Sequence, residues 1–504
     1  MAEPGLHTLG RWLRDRALGT PRRVAIDYDS RLTTYAELDR RAEARAAHLL
    51  ALGLRPGERV ATLTGNSPEH VEVLFGCAKA GLMLLPLNWR LAPAELTYQI
   101  DDAEPAVLLV EDCHADLAAG VLAQATSSPH VMPLRPLPAD LPASPGIDMA
   151  VSDEDGLLLM YTSGTTGRPK GAVLTHANCF WTNLSLDRTA GIARGDVVLQ
   201  VLPQFHVGGW NVQPLLAWWK GATVVLERSF DAARALRLLQ DKRVTTMMGV
   251  PATYLFLAEQ PDFGGADLSS LQQAVVGGAP MPEALLRRWR ERGVAIVQGY
   301  GLTEAAPNVL CLPAEDAVRK LGYAGKPYPH VDVALADPHT GAAISGTGEG
   351  ELLVRGPNVF PGYWHDKAAT GGVLRDGWLH TGDIARRDEE GFYEIRDRLK
   401  DMYISGGENV YPAEVEAVLH EHAGVADAAV IGVPDERWGE VGLAVVVARE
   451  GSEVSDVDLL AHCRARLAGF KVPRAVRFVD ALPRSGVDKI LKTRLRDRFT
   501  GEGR

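Results

Sequence analysis

The stretch "YTSGTTGRPKGAVLTH", Tyr161–His176, follows the apolar run "GLLLM", Gly156–Met160. Half of its residues are Gly, Thr or Ser, and Arg168 and Lys170 supply positive charge. The apolar run predicts a buried strand, and a glycine-rich loop after a strand offers free backbone N–H groups to a phosphate. Thr162, Ser163, Thr165 and Thr166 add hydroxyls, and Lys170 adds charge. Gly164, Gly167 and Gly171 admit backbone conformations closed to other residues. Such a loop suits a polyphosphate. It is not the GxxxxGK[ST] loop, because Arg168 and Pro169 separate the second glycine from Lys170.

Outward from the loop, helix and strand patterns alternate. "YAELDRRAEARAAHLLALGL" has helical periodicity, with Gly53 as its stop, and "RVATLTG" reads as a strand. The pairs "PEHVEVLFGCAKAG" and "MLLPLN", "DAARALRLLQDKR" and "VTTMMGV", and "LQQAVVGG" and "PMPEALLRRWRERG" repeat the alternation. This predicts an α/β fold with parallel sheets covered on both faces, and ligands beyond the C-terminal strand ends. Residues 115–152, rich in Ala, Pro and Ser, read as a peripheral connection. Short strands with Gly turns between about 330 and 395 predict a small β-rich subdomain. The charged "RDRLKD" before a compact α/β pattern sets a boundary at 399/400, giving a large domain 1–399 and a small α+β domain 400–504.

The 504 residues carry a formal net charge of −11, and no Lys/Arg run offsets it. That disfavours a nucleic-acid partner. Cys77, Cys113, Cys179, Cys311 and Cys463 are sparse and form no CxxC or zinc-spaced cluster, which fits a reducing cytoplasm. The N-terminal residues lack an apolar signal core, and no stretch has the length and apolarity of a transmembrane helix. Peripheral membrane contact stays open, as do a monomer and a homodimer.

The loop closely resembles the signature of the adenylate-forming superfamily of acyl-CoA synthetases, adenylation domains and beetle luciferases. Further motifs of that family follow in order: "LPQFHVGG" from Leu202, "VVGGAPM" from Val275, "QGYGLTE" from Gln298, "GWLHTGD" from Gly377, "RDRLKDMYISGGENVYPAEVE" from Arg396 and "PRSGVDKILK" from Pro483. The resemblance implies a large α/β domain followed by a mobile C-terminal domain. It implies activation of a carboxylic acid by ATP and Mg²⁺ to an acyl-adenylate, then transfer to coenzyme A.

By position in these motifs, Glu304 and Thr303 meet metal and phosphate, with Thr165 as a second metal contact. The loop residues Thr162 to Gly167 and Lys170 hold phosphate. Gly277, Gly278, Ala279, Gly299, Tyr300 and Gly301 form the adenine site, and Asp383 and Arg398 meet the ribose. Lys489 matches the catalytic lysine, although Asp488 stands where the family has glycine, and Lys492 is the fallback. Lys400 maps to the hinge. Gly406, Gly407 and Glu408 map to the coenzyme A tunnel.

His206, Gly209 and Trp210 map to the acyl pocket, with Trp210 either bounding the tunnel or filling the core. No aspartate lies between His206 and Gly221, which argues against an amino acid. The expected acid is therefore apolar, a medium- or long-chain fatty acid. Aryl and sterol side-chain acids, and a protein carrier in place of coenzyme A, are the alternatives.

Overall fold

The computed structural model describes residues 5–138, 150–162, 169–278, 281–399, 401–405, 408–435, 438–467, 469–484 and 490–500. Ser163, Gly164, Thr165, Thr166, Gly167, Ala279, Lys400, Gly406, Gly407 and Lys489 lie outside the described residues, as does the side chain of Glu408.

The chain divides into two compact units, residues 1–333 with 354–380, and residues 334–353 with 381–504. The strand-rich segment expected within the N-terminal domain is thus divided between the two units, 334–353 and 381–395 going with the C-terminal residues. The first unit holds two large sheets. One runs, in spatial order, Gly362–Tyr363, Lys170–Thr175, Gly156–Thr162, Met83–Pro86, Arg59–Leu63, Val107–Val110, His130–Pro133. Its interior strands are almost wholly apolar, as parallel strands covered on both faces must be. The other runs Lys326–Pro327, Asn308–Cys311, Ile296–Gly301, Gln273–Val276, Thr246–Gly249, Val197–Gln200, Thr223–Leu226, Val24–Tyr28, Arg31–Thr34.

Local signals explain the helices between strands. Thr34 caps Tyr35–Ala51 in a reciprocal box with Glu37, and Ser67 with Pro68 starts Pro68–Ala80. Gly81 ends that second helix at φ 68°, a conformation that favours glycine.

The strand expected before the loop is Gly156–Thr162, and it pairs antiparallel with Lys170–Thr175, Thr162 opposite Lys170, so the two strands form a hairpin, and the helix His176–Ala190 begins only afterwards. One expectation needs correction: residues 115–152 are not all connection. They include helix Ala115–Leu122, which buries Ala118 and Val121, and the edge strand His130–Pro133. That strand is mostly exposed, so it lacks the apolar alternation that would have marked it.

In the second unit, Tyr403–Ser405 and Glu408–Val410 form an antiparallel hairpin beside the long pair Val425–Asp435 and Gly439–Ala448. Helices Pro412–His420 and Asp456–Arg464 cover it with Val415, Leu419, Leu459 and Cys463 fully buried.

Candidate nucleotide and acid site

Three segments distant in sequence converge beside the loop. The short strand Gly362–Tyr363 adds to the edge of Lys170–Thr175, placing Tyr363 opposite Ala172. The Tyr363 hydroxyl donates to Glu304 Oε1 at 2.8 Å, and the Thr162 hydroxyl approaches the same oxygen at 3.4 Å. The Lys170 ammonium lies 5.4 Å from the centre of the Tyr363 ring, a cation–π distance. Burial, and then the charge of Glu304, push the Tyr363 pKa up, so the phenol stays protonated and donates.

The turn carrying Glu304 is itself clamped. Thr303–Ala305 is one 3₁₀ turn ending at Ala306 in the left-handed region, φ 60°. The Phe360 N–H donates to the Glu304 carbonyl, and the Asn358 side chain donates to the Ala305 and Asn308 carbonyls. Asn358, Phe360 and Tyr363 were missed in the sequence reading. The only signal was "NVFPGYW", a polar and aromatic cluster between glycine turns.

The predicted adenine-site glycines meet at the C-terminal edge of two adjacent parallel strands. Gln298 pairs with Val276, so Gly277 and Gly278 sit beside Gly299–Gly301. Gly278 has φ 83°, and a Cβ at Gly301 would collide with the Pro307 carbonyl oxygen. Tyr300, on the same strand, is partly exposed.

On the expected acyl wall, Gly209 packs against the Pro203 carbonyl too closely for a Cβ. Burial, reinforced by the Arg90 charge, lowers the His206 pKa to about 4, so the ring is neutral near pH 7. Its Nε2 has no protein hydrogen-bond partner, and neither has buried Asn308 Nδ2. Asn308 lies directly opposite Gly301 in the strand register. Trp210 sits in the interior at 0% exposure. Its indole donates to the Gln204 carbonyl at 2.5 Å, and it meets the His70 ring edge-on.

In the second unit, Asp383 and Arg398 are partners across neighbouring antiparallel strands. Arg398 Nε is 3.3 Å from Asp383 Oδ1. Gly382 takes φ 68°, and its N–H donates to Glu351 Oε1. Lys492, the fallback for Lys489, is held 2.8 Å from Glu416 Oε1 and is largely buried. Ile404, Trp438 and Phe470 are exposed apolar side chains. The first two flank the pairing of Ser405 with Gly439, and Phe470 lies on the turn against the Glu408–Val410 strand.

The oxygen donors around Glu304, one carboxylate and hydroxyls, have the hard chemistry that suits Mg²⁺. Among the described residues, one cluster of mixed metal-type side chains occurs, Glu111, Cys113 and His114. The Arg228 guanidinium engages both Glu111 oxygens and lies 3.2 Å from Cys113 Sγ, so two of the three side chains already have a cationic partner. Among the described residues no helix is long and apolar enough to cross a membrane.

The chain is 46% identical to a feruloyl-CoA synthase from Amycolatopsis sp, over 97% of this chain and 99% of that one. It is 38% identical to a long-chain-fatty-acid–CoA ligase from Mycobacterium tuberculosis, over 98% and 99%. An o-succinylbenzoate coenzyme A synthetase from Bacillus subtilis, solved in complex with ATP and magnesium ion, superposes with a TM-score of 0.88 at 33% identity, covering 96% of this chain and 99% of that one. The AMP-binding enzyme model matches residues 13–364 and the AMP-binding enzyme C-terminal domain model matches 414–489, and with the glycine edge, the clamped Glu304 turn and the two hairpin strands in place, the chain belongs to the AMP-binding enzyme family.

Proposed function

We propose that this protein is an AMP-forming acid–coenzyme A ligase acting on an aromatic carboxylic acid of the hydroxycinnamic class. The coarse activity follows from family membership and from relatives that are acid–CoA ligases over nearly their whole length. ATP and coenzyme A are its co-substrates. Mg²⁺ at Glu304, joined by Thr165, supplies charge neutralisation on the phosphates.

In the first half-reaction a substrate carboxylate oxygen bonds to the α-phosphorus as the bond to pyrophosphate breaks. Two anions must approach, so donors fixed in advance carry the rate. Thr162 and Lys170, opposite one another at the mouth of the hairpin, hold phosphate oxygens together with the loop residues between them. Tyr363 orients the Glu304 carboxylate. Tyr300 stacks on adenine over Gly277, Gly278 and Gly299, and Asp383 accepts from the ribose hydroxyls with Arg398 steadying it. Lys489 contacts the reacting carboxylate and α-phosphate.

In the second half-reaction the thiol sulfur attacks the acyl carbon and AMP leaves. Lys400 serves as the hinge at the 399/400 boundary, and Gly406, Gly407 and Glu408 line the thiol's path. Exposed Trp438 and Phe470 beside that hairpin offer faces for the nucleotide end of coenzyme A.

The convergence of Glu304, Thr162, Lys170 and Tyr363 carries the adenylation reading. For the acid, the feruloyl-CoA synthase similarity leads. The fatty-acid reading rests on the 38% relative and is the second choice. A cytoplasmic location is part of the proposal, supported by five unpaired cysteines. Pyrophosphate exchange into ATP that requires both Mg²⁺ and a hydroxycinnamic acid tests the first half-reaction. ATP binding without exchange for any acid would refute it.

A further inference from the structure

In the second unit, the residues that flank Lys400 are tied to the residues that flank Lys489. Lys492 begins the helix Lys492–Phe499 and places its ammonium 2.8 Å from Glu416 Oε1. The same Glu416 oxygen accepts the Val430 N–H at 2.7 Å, so the carboxylate is fixed from two sides. Asp397 and Asp401, on either side of Lys400, are the next charges that Lys492 faces. Asp397 accepts the N–H of Ala413 at 2.8 Å, at the start of the helix that carries Glu416. Arg496, one turn after Lys492, reaches Asp401 Oδ1 at 3.1 Å. Upstream, Arg484 and Ile490 pair antiparallel, and the Leu491 N–H donates to the Pro483 carbonyl, which fixes both ends of the segment containing Lys489.

A lysine whose only role was solubility would not be drawn into such a site, since a buried ion pair is weak evidence of net stabilisation and better evidence of a fixed geometry. We infer that Lys492 is a positioning residue for the adenylation half-reaction, anchoring the start of the helix Lys492–Phe499, three residues after Lys489, to Glu416 beside Asp397. The inference rests on the reading of Lys489 as the adenylation lysine. It assigns Lys492 no contact with substrate.

The test uses the full-length protein and measures the half-reactions separately. One assay is pyrophosphate exchange with ferulic acid. The other is thioester formation from synthetic feruloyl-AMP and coenzyme A. Lys492→Met should slow exchange by about 10²-fold, the cost of a small misplacement at a reacting centre, while thioester formation stays near the parent rate. Lys492→Arg should recover most of the exchange.

Lys492→Met leaves the Glu416 charge buried and unpaired and can fail to fold, so the double variant Lys492→Met/Glu416→Gln is measured beside it. It removes both charges while keeping an oxygen for the Val430 N–H, and should melt near the parent temperature yet remain slow in exchange. Equal losses in both half-reactions, or a double variant with parental exchange, would overturn the inference. Lys489→Ala separates the two layers. If it exchanges normally, the reading of Lys489 fails and the positioning role falls with it. If it is slow while Lys492→Met slows both half-reactions alike, only the positioning role is lost.

Discussion

Tyr363 donates its phenolic hydrogen to Glu304 across 2.8 Å, joining residues 59 positions apart at the edge of the loop hairpin. The contact leaves one carboxylate oxygen engaged and the group oriented, as carboxylates that hold metal ions usually are. Tyr363→Phe should therefore raise the Mg²⁺ concentration needed for half-maximal pyrophosphate exchange by about 10-fold or more, with little change in the KM for the acid. An unchanged Mg²⁺ dependence would separate Tyr363 from the metal site.

Trp210 tests the acyl wall. With its ring at 0% exposure and its indole committed to the Gln204 carbonyl, truncation removes core packing. Trp210→Ala should cost about 3–5 kcal/mol of stability and lower kcat/KM evenly across a series of acids. A shift in preference among acids with an unchanged melting temperature would instead assign it a place on the substrate surface.

Acid sensitivity follows from buried imidazoles, His206 and two that are wholly enclosed. Burial lowers the His176 pKa to about 4 and the His70 pKa to about 3. The unfolded chain binds protons on these rings below pH 6.5 while the folded chain does not, so stability is complete above that pH and falls as the pH drops toward 4. Between pH 7 and pH 5 each ring should account for on the order of 2 kcal/mol. His176→Gln should flatten the decline in urea midpoint over that interval, its own cost appearing at both pH values. Parallel pH profiles for variant and parent would exclude His176 as a source.

Much of this fold was legible because its signals are local. Apolar runs such as "MLLPLN" and "GLLLM" mark buried strands, and the periodicity of "YAELDRRAEARAAHLLALGL" marks a helix. Gly278 and Gly301 were also legible, since the backbone there demands glycine. What escaped was pairing across long separations. The two-residue strand Gly362–Tyr363 has no periodicity of its own and exists because the edge of Lys170–Thr175 is open to it. Its tyrosine, and the Asn358 clamp, therefore carried no local mark beyond the polar and aromatic cluster "NVFPGYW". Trp210 could not be assigned from sequence because a core tryptophan and a tunnel tryptophan are the same residue type in the same apolar context. Lys492 looked like one more basic residue of a charged helix, and only the fold shows Glu416 waiting for it.

The central claim is that this AMP-binding enzyme joins an aromatic acid to coenzyme A. The most direct measurement is thioester formation with ATP, Mg²⁺ and coenzyme A when ferulic acid and a long-chain fatty acid compete in one reaction, with both thioesters quantified. The account predicts that feruloyl-CoA dominates, with AMP and pyrophosphate released in equal amounts. Fatty-acyl-CoA as the dominant product would contradict the substrate assignment, and no thioester from either acid, with ATP still bound, would contradict the activity itself.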